Sequence, residues 1–265
     1  DPDADRVGIA MKCSDGSYEL VSGNEMGVLL LDYICAGRKE NGIMPERPIA
    51  VKSIVSTPLA DAVAEHYGVE LRSVLTGFKW IGDQIAQLEE AGEADRFIFG
   101  FEESYGCLAG SYVRDKDAVI GSMLICEMAA YHRSIGSSLK QRMEEIYEQY
   151  GRYLSKTDSF EFPGLNGMSR MAEIMQGLRE KPPAQIAGIK AEQVVDYQNT
   201  EETGLPAANV LMYRLEKGAT VIIRPSGTEP KIKIYYTTHG KDLAEAQAQK
   251  DKLAGGLKLI LELDG

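Results

Sequence analysis

The sequence predicts an α/β protein: a domain with a mixed α/β/α sheet, followed by a smaller α+β domain with an antiparallel sheet. Between residues 49 and 150, apolar strand-like runs alternate with helical periodicity, which is typical of a parallel or mixed sheet with helices on its faces. After residue 152 three apolar runs, NVLMYRL, ATVIIRP and KIKIYYT, follow one another closely and favour antiparallel pairing. A chain of 265 residues is long enough for separate cores.

The first 42 residues are predicted to form a loop, a strand, the turn SDGS and a helix over residues 24–37. Leu29, Leu30, Tyr33 and Ile34 recur at helical spacing in that helix. The next stretch, GRKENGIMPERP, is polar and contains glycine and proline, which indicates a linker. We therefore expect residues 1–42 to end one domain, residues 43–151 to form the next and residues 152–265 to form the last.

The middle segment has clear start and stop signals. A strand over residues 49–55 leads to a helix that Thr57 caps, with Pro58 at its first position and Gly68 at its end. Periodicity then predicts a strand (69–75), a helix (80–92), a strand (96–101), two helices (117–133 and 137–150) and a terminal helix (242–260).

The composition restricts the partners. The formal net charge of −11 argues against nucleic acid or an anionic membrane as the main partner, since both require a basic face. No apolar run approaches the roughly 18 residues of a membrane span. The four cysteines form no CxxC pair, which favours reduced thiols and a cytoplasmic protein. The histidines lie far apart and indicate structural rather than catalytic roles: His66, His132 and His239.

The chain opens with DPDADR, in which Asp1, Asp3 and Asp5 are spaced to converge on one hard cation. Arg6 and Lys12 stand where an EF-hand requires glycine and glutamate, which excludes that motif. Three carboxylates suit magnesium, because this ion usually keeps waters or a phosphate oxygen as its other ligands. The alternative interpretation is a solvated acidic terminus.

Two polar loops each follow a predicted strand. LTGFKWIGD places Lys79 in a loop where it would meet an anion or transfer a proton, and FGFEESYG presents Glu102, Glu103 and Ser104. Carboxylates beside a hydroxyl suit the hydroxyl groups of a sugar, which both donate and accept hydrogen bonds. The alternatives are an exposed lysine and a polar turn without a ligand.

A fourth stretch, RPSGTEPK, joins two apolar strands. Arg224 can hold a phosphate through two parallel hydrogen bonds, and Ser226 and Thr228 add neutral donors. Gly227 lets backbone N–H groups approach an oxyanion. The stretch lacks the GxxxxGK[ST] pattern of a Walker A loop. Phosphate binding is favoured over the alternative of a simple proline-glycine hairpin turn.

Together DPDADR, TGFKWIG, FEESYG and RPSGTEPK resemble, in this order, the loops of the α-D-phosphohexomutase family, in its phosphoglucomutase-like branch. That family has four domains around a cleft. The resemblance implies that the chain contains the end of domain 2, a sugar-binding domain 3 and a phosphate-binding domain 4. The family's catalytic serine lies in a Ser-His-Asn stretch, which this sequence lacks. We therefore expect a C-terminal fragment that binds substrate without turning it over.

The resemblance also implies roles for individual residues. The metal ligands are Asp1, Asp3 and Asp5. The residues that hold phosphoryl groups or transfer protons are Arg6, Lys79 and Lys116. The residues that bind the sugar are Thr76, Gly77, Glu102 and Ser104. The residues that bind phosphate are Arg224, Ser226, Gly227 and Thr228.

The implied activity is interconversion of glucose 1-phosphate and glucose 6-phosphate through a phosphoserine and a bisphosphate intermediate. It requires Mg²⁺, glucose 1,6-bisphosphate and the N-terminal half of the same protein. The alternatives are a phosphomannomutase, a non-catalytic phosphosugar-binding module and a magnesium-dependent phosphatase with an aspartyl nucleophile. A phosphoglucosamine mutase is less favoured, since that branch resembles DGDGDR. Because the acidic loop comes first, we expect it to be frayed and to bind Mg²⁺ weakly or not at all in this chain.

Overall fold

The computed structural model describes residues 1–13, 15–227 and 229–262. Two compact units, Asp1–Tyr150 and Gly151–Gly265, make up the chain. In the part of the chain that is described, no helix has the length and apolar character needed to cross a membrane.

The first unit contains the mixed sheet that the sequence predicts. Its strands are β1 (Ile9–Lys12), β2 (Tyr18–Val21), β3 (Ile49–Ser53), β4 (Glu70–Val74), β5 (Phe97–Phe101) and β6 (Cys107–Leu108). Its helices are α1 (Gly23–Glu40), α2 (Leu59–Tyr67), α3 (Lys79–Glu90), α4 (Ala118–Ser134) and α5 (Leu139–Tyr150), with a 3-10 turn at Ala94–Arg96. The main sheet has the order β4-β3-β5-β6, in which β3, β4 and β5 are parallel and β6 is antiparallel to β5. The hairpin of β1 and β2 stands apart.

The two central strands of the main sheet, β3 and β5, form its buried part. Every residue of β3 and β5 is buried, as expected for strands that are covered on both faces. Ile49 and Val51 of β3 join a core cluster with Ile81 and Ile85 of α3. Helix α2 begins at Leu59 with Pro58 as its N-cap, one residue later than predicted, and Thr57 Oγ1 accepts a hydrogen bond from the Leu59 N–H; Gly68 ends the helix as predicted, at a φ of 70°.

Helix α1 differs from its predicted extent. It begins with a capping box between Ser22 and Glu25 and continues through Arg38 and Lys39 to Glu40. Arginine, lysine and glutamate are good helix formers, so polarity alone does not end a helix. The helix belongs to the same compact unit as residues 43–150, and the proposed boundary after residue 42 does not coincide with a division of the structure.

The second unit is an α+β unit with an antiparallel sheet, as predicted. Its strands are β7 (Arg152–Glu161), β8 (Gln185–Ile186), β9 (Ile189–Asp196), β10 (Leu211–Leu215), β11 (Thr220–Pro225) and β12 (Lys231–Gly240). Its helices are α6 (Gly167–Glu180), α7 (Thr200–Thr203) and α8 (Leu243–Ile260), with a 3-10 turn at Glu216–Gly218. The strand order is β7-β12-β11-β10-β9-β8. Buried residues of α6 and α8, such as Met175 and Leu257, form one core with Tyr213, Val221 and Tyr236 of the sheet.

Candidate functional site

The acidic loop brings three carboxylates together. Oxygens of Asp1, Asp3 and Asp5 lie within 4.8 Å of one another. The Ala4 N–H donates to the Asp1 carbonyl at 3.1 Å, and Ala4 has a φ of 53°, so the loop folds into a tight turn. Convergent carboxylate oxygens are the donor set that magnesium takes from a protein. These three residues therefore fit a magnesium site.

The acidic loop is also attached to its neighbours, which differs from the frayed terminus expected from the sequence. Arg6 forms a β-bridge with Gly106, and the Val7 N–H donates to the Tyr105 carbonyl at 3.3 Å. The Ala118 N–H, at the start of α4, donates to the Ala4 carbonyl at 3.0 Å. Neighbouring segments rather than solvent satisfy these backbone groups, so the loop has a defined conformation.

Two cations flank the carboxylates. Arg6 Nε lies 2.9 Å from Asp1 Oδ2 and 3.1 Å from Asp5 Oδ1, and Lys116 Nζ lies 3.1 Å from Asp5 Oδ2. Partial burial raises the pKa of Asp5, but Lys116 and Arg6 outweigh it, and the net pKa lies below its ordinary value. Burial lowers the pKa of Lys116, but hydrogen bonds to Asp115 and Asp5 outweigh it and raise the net pKa. Lys116 therefore keeps its positive charge, which favours it as a phosphate contact over a general base.

The two candidate lysines have different surroundings. Lys116 contacts the acidic loop, and its aliphatic stem lies against Gly106. Lys79 is exposed at the start of α3, with its Nζ 4.6 Å from the centre of the Trp80 ring. The structure therefore brings Lys116 against the carboxylates of the acidic loop, whereas among the described contacts Lys79 has none with them.

The two predicted sugar-binding segments contact each other. Glu102 follows β5, is buried, and accepts a hydrogen bond from the Gly77 N–H at 2.7 Å through Oε1. Gly77 has a φ of 111°, a conformation that L residues rarely adopt. The Glu102 N–H donates to the Gly106 carbonyl at 2.9 Å, which closes a tight loop over residues 102–106. Ser104 is exposed on this loop.

The topology explains why these segments meet. Strands β3, β4 and β5 are parallel, so their carboxyl ends lie at the same edge of the sheet. Residues 54–57, 75–79 and 102–106 follow those ends. Ligands of open α/β sheets bind at this edge. The acidic loop joins the same edge through its bridge to Gly106.

The predicted phosphate loop lies in the second unit, between β11 and β12. The Ser226 N–H donates to the Lys231 carbonyl at 2.8 Å, and Ser226 Oγ accepts from the Glu229 N–H at 3.2 Å. Arg224 is the cross-strand partner of Lys233, so both side chains leave the same face of the sheet. Gly227 is exposed, whereas Thr228 lies outside the described residues.

Lys233 is a candidate phosphate contact that the sequence reasoning missed. It is half-buried and shares the face of Arg224, and two cations side by side favour an oxyanion. The signal was present in the alternation of KIKIYY, which places Lys231 and Lys233 on one face of β12.

Two family models match the chain. One, described as phosphoglucomutase/phosphomannomutase, alpha/beta/alpha domain III, matches residues 22–150. The other, described as phosphoglucomutase/phosphomannomutase, C-terminal domain, matches residues 170–255. The two matches lie within the two compact units, respectively.

Curated proteins that are similar to the chain include phosphoglucomutases. A phosphoglucomutase of Staphylococcus aureus is 37% identical over 260 residues, which cover 94% of this chain and 46% of that protein. The chain thus spans about half the length of the curated relatives it matches. The crystal structure of parafusin, a phosphoglucomutase from Paramecium, aligns over 99% of this chain and 44% of its own, with 22% identity and a TM-score of 0.68.

A more distant structure has the same fold. N-acetylphosphoglucosamine mutase of Aspergillus fumigatus, solved with GlcNAc-6P and magnesium, is 16% identical and aligns over 97% of this chain and 51% of its own, with a TM-score of 0.54. At these identities the structural matches show the fold alone. The two family models and the phosphoglucomutase relatives agree with the fold, and the chain belongs to the phosphoglucomutase/phosphomannomutase family, of which it carries domain III and the C-terminal domain.

Proposed function

We propose that this chain is the C-terminal half of a phosphoglucomutase that interconverts glucose 1-phosphate and glucose 6-phosphate. The observation that carries the proposal is the contact between the acidic loop and the loop of Glu102 and Ser104, made through the Arg6–Gly106 bridge. This contact supports the proposal because it brings three convergent carboxylates, which suit a divalent cation, beside groups that suit sugar hydroxyls. The phosphoglucomutases that are 37–38% identical to the chain support the same assignment.

In this proposal each group of residues has one task. Asp1, Asp3 and Asp5 would hold Mg²⁺, which when bound neutralises charge on the transferring phosphoryl group. Arg6 and Lys116 contact phosphoryl oxygens through their positive charges. The sugar hydroxyls bind to the Glu102 carboxylate and the Ser104 hydroxyl, and Thr76 and Gly77 line the same edge. The non-reacting phosphate binds to the following residues of the second unit: Arg224, Ser226, Gly227 and Thr228.

The chemistry requires a phosphoserine that the 265 residues do not supply in a Ser-His-Asn stretch. The bond from the serine oxygen to phosphorus breaks as a sugar hydroxyl oxygen bonds to phosphorus, and the proton that this hydroxyl loses ends on the released serine oxygen. The resulting glucose 1,6-bisphosphate turns over and returns its other phosphoryl group to the serine. We therefore propose the N-terminal half of the same protein as partner, a cytoplasmic location in keeping with the four free thiols, and no turnover by this chain alone.

Isothermal titration tests the binding half of the proposal. The chain is expected to bind inorganic phosphate and glucose 1-phosphate, and Arg224→Ala should weaken phosphate binding about 10- to 150-fold, the value of a charge-assisted hydrogen bond. Arg133→Ala, an exposed arginine of α4, is the matched control and should stay within about twofold of the wild type. Unchanged binding in Arg224→Ala would exclude the proposed clamp.

A phosphomannomutase remains a second candidate, because the matching family models cover both activities. Mannose 1-phosphate that binds more tightly than glucose 1-phosphate would favour it.

A turnover assay tests the need for a serine from outside this chain. The chain is mixed with glucose 1-phosphate, Mg²⁺ and glucose 1,6-bisphosphate. Formation of glucose 6-phosphate by the chain alone would contradict the need for a serine from another segment.

A further inference from the structure

Glu103, the residue between the two proposed sugar ligands, has its carboxylate tied to the end of another strand. Glu103 Oε2 accepts a hydrogen bond from Ser53 Oγ at 2.9 Å. Ser53 is the last residue of β3 and is completely buried. Its Oγ lies 2.8 Å from Oγ of Ser56, which is also buried.

The proton order in this chain of hydrogen bonds follows from the chemistry of the groups. A carboxylate only accepts hydrogen bonds, and a serine hydroxyl has a single proton to donate. Because Ser53 donates to Glu103, the hydroxyl of Ser56 donates to Ser53. The Ser56 N–H also donates to the Ser53 carbonyl at 3.0 Å, so the two serines form a closed turn beneath the loop.

The other side of the loop lies against helix α1. A Cβ atom at Gly23 would lie 2.1 Å from the Glu103 carbonyl oxygen and 2.7 Å from the Tyr105 nitrogen. Tyr105 has a φ of 74°, which residues other than glycine seldom adopt. A strained conformation persists only where the surroundings hold it in place.

We propose that Glu103 and the Ser53–Ser56 pair are positioning residues, which hold the backbone of residues 102–106 so that Glu102 and Ser104 face the sugar. Glu102 ties the loop to residues 75–79 and Glu103 ties it to residues 53–56, so adjacent carboxylates fix it to the ends of two different strands. The part of this inference that concerns the sugar rests on the proposed function, whereas the part that concerns loop order does not.

Hydrogen–deuterium exchange of the unliganded chain tests the loop. Ser53→Ala and Glu103→Ala are expected to raise the exchange rate of the Glu102 amide, which donates to Gly106, by about tenfold, in line with the loss of one charge-assisted hydrogen bond. Glu103→Gln keeps an acceptor oxygen and should stay within about twofold of the wild type. Unchanged exchange in Glu103→Ala would overturn the proposal, even if Ser53→Ala failed to fold.

Titration with glucose 1-phosphate tests the consequence for the sugar. Ser53→Ala and Glu103→Ala should bind it about tenfold more weakly, with the affinity for inorganic phosphate unchanged. The matched controls are Ser122→Ala on α4 and Glu65→Gln on α2, both exposed, and they should match the wild type in both assays. Faster exchange with unchanged glucose 1-phosphate affinity would overturn the positioning role. A wild-type chain that binds no glucose 1-phosphate would refute the proposed function, while the exchange rates would still decide the role of Glu103 in the loop.

Discussion

The buried pair of Asp32 and Arg142 is expected to contribute strongly to the stability of the first unit. Arg142 Nε lies 2.8 Å from Asp32 Oδ2, its Nη2 lies 2.9 Å from Oδ1, and the Tyr67 hydroxyl donates to Oδ1 at 3.0 Å. These contacts join α1, α2 and α5. Asp32→Ala would leave a guanidinium and a hydroxyl without this acceptor.

The size of the effect follows from the exposure of the two partners. The side chain of Asp32 is 4% exposed and that of Arg142 is 23% exposed. Removal of one partner of a buried pair costs about 3–5 kcal/mol. Arg142 keeps some contact with solvent and a hydrogen bond to Glu145, so we expect about 3 kcal/mol, the low end of that range. This loss lowers the melting temperature by about 6–12 °C.

Tryptophan fluorescence during urea unfolding measures the free energy of unfolding of the first unit. The chain has one tryptophan, Trp80, and it packs against the core of the first unit. Glu145→Gln, which removes only the negative charge from the exposed contact of Arg142, is the control and should cost less than about 1 kcal/mol.

A double-mutant cycle separates the pair from other effects of the substitution. The variants Asp32→Ala and Arg142→Met are compared with the double variant, and we expect a coupling energy of about 2 kcal/mol, within the range for residues in direct contact. If the two single effects simply add, the pair does not stabilise the unit and the reasoning is refuted.

Three further predictions concern the site and the second unit. Asp3→Asn should weaken Mg²⁺ binding, measured by titration of the chain with MgCl₂, because one of three convergent carboxylates loses its charge; equal affinity would exclude the acidic loop as the site. Gly77→Ala should destabilise the first unit by about 1–3 kcal/mol, since its φ of 111° strains an L residue although an added Cβ would meet only Trp80 Cδ1, at 4.0 Å; an unchanged urea midpoint of Trp80 fluorescence would contradict this. Burial raises the pKa of Asp196, but the ion pair with Arg179 outweighs burial and lowers the net pKa. The stabilisation that this ion pair gives to the folded state is therefore present above about pH 4 and is lost as the pH falls through the lowered pKa. Circular dichroism should show a smaller acid-induced loss of stability in Asp196→Asn than in the wild type, and identical pH profiles would count against the pair.

Some features of the fold depend on local signals and could be predicted from the sequence. The start of α2 next to Thr57 and Pro58 and its end at Gly68 require only hydrogen bonds and dihedral preferences within a few residues. The buried strands β3 and β5 are short apolar runs, so the mixed sheet followed from the alternation of strands and helices.

Other features depend on contacts between distant residues. Strand β7 has mostly polar side chains, lies at the edge of its sheet and, among the described residues, pairs along its length with β12, about 80 residues later. Strand β2 is short and mostly exposed, and β1 is its partner. Neither was expected from the sequence, because the hydrogen bonds that define them belong to pairs of strands rather than to one segment.

The sequence by itself determined the alternation of strands and helices over residues 49–150 and the four chemically distinctive loops, because hydrophobic periodicity and residue type are local properties. Only the tertiary structure decided that α1 packs with the residues after it, that the acidic loop is bound to Gly106, and that Lys116 rather than Lys79 contacts its carboxylates. It also showed that Glu103 is tied to Ser53, 50 positions away. The physical reason is that parallel strands bring their carboxyl ends to one edge of a sheet, which joins loops that are far apart in the chain.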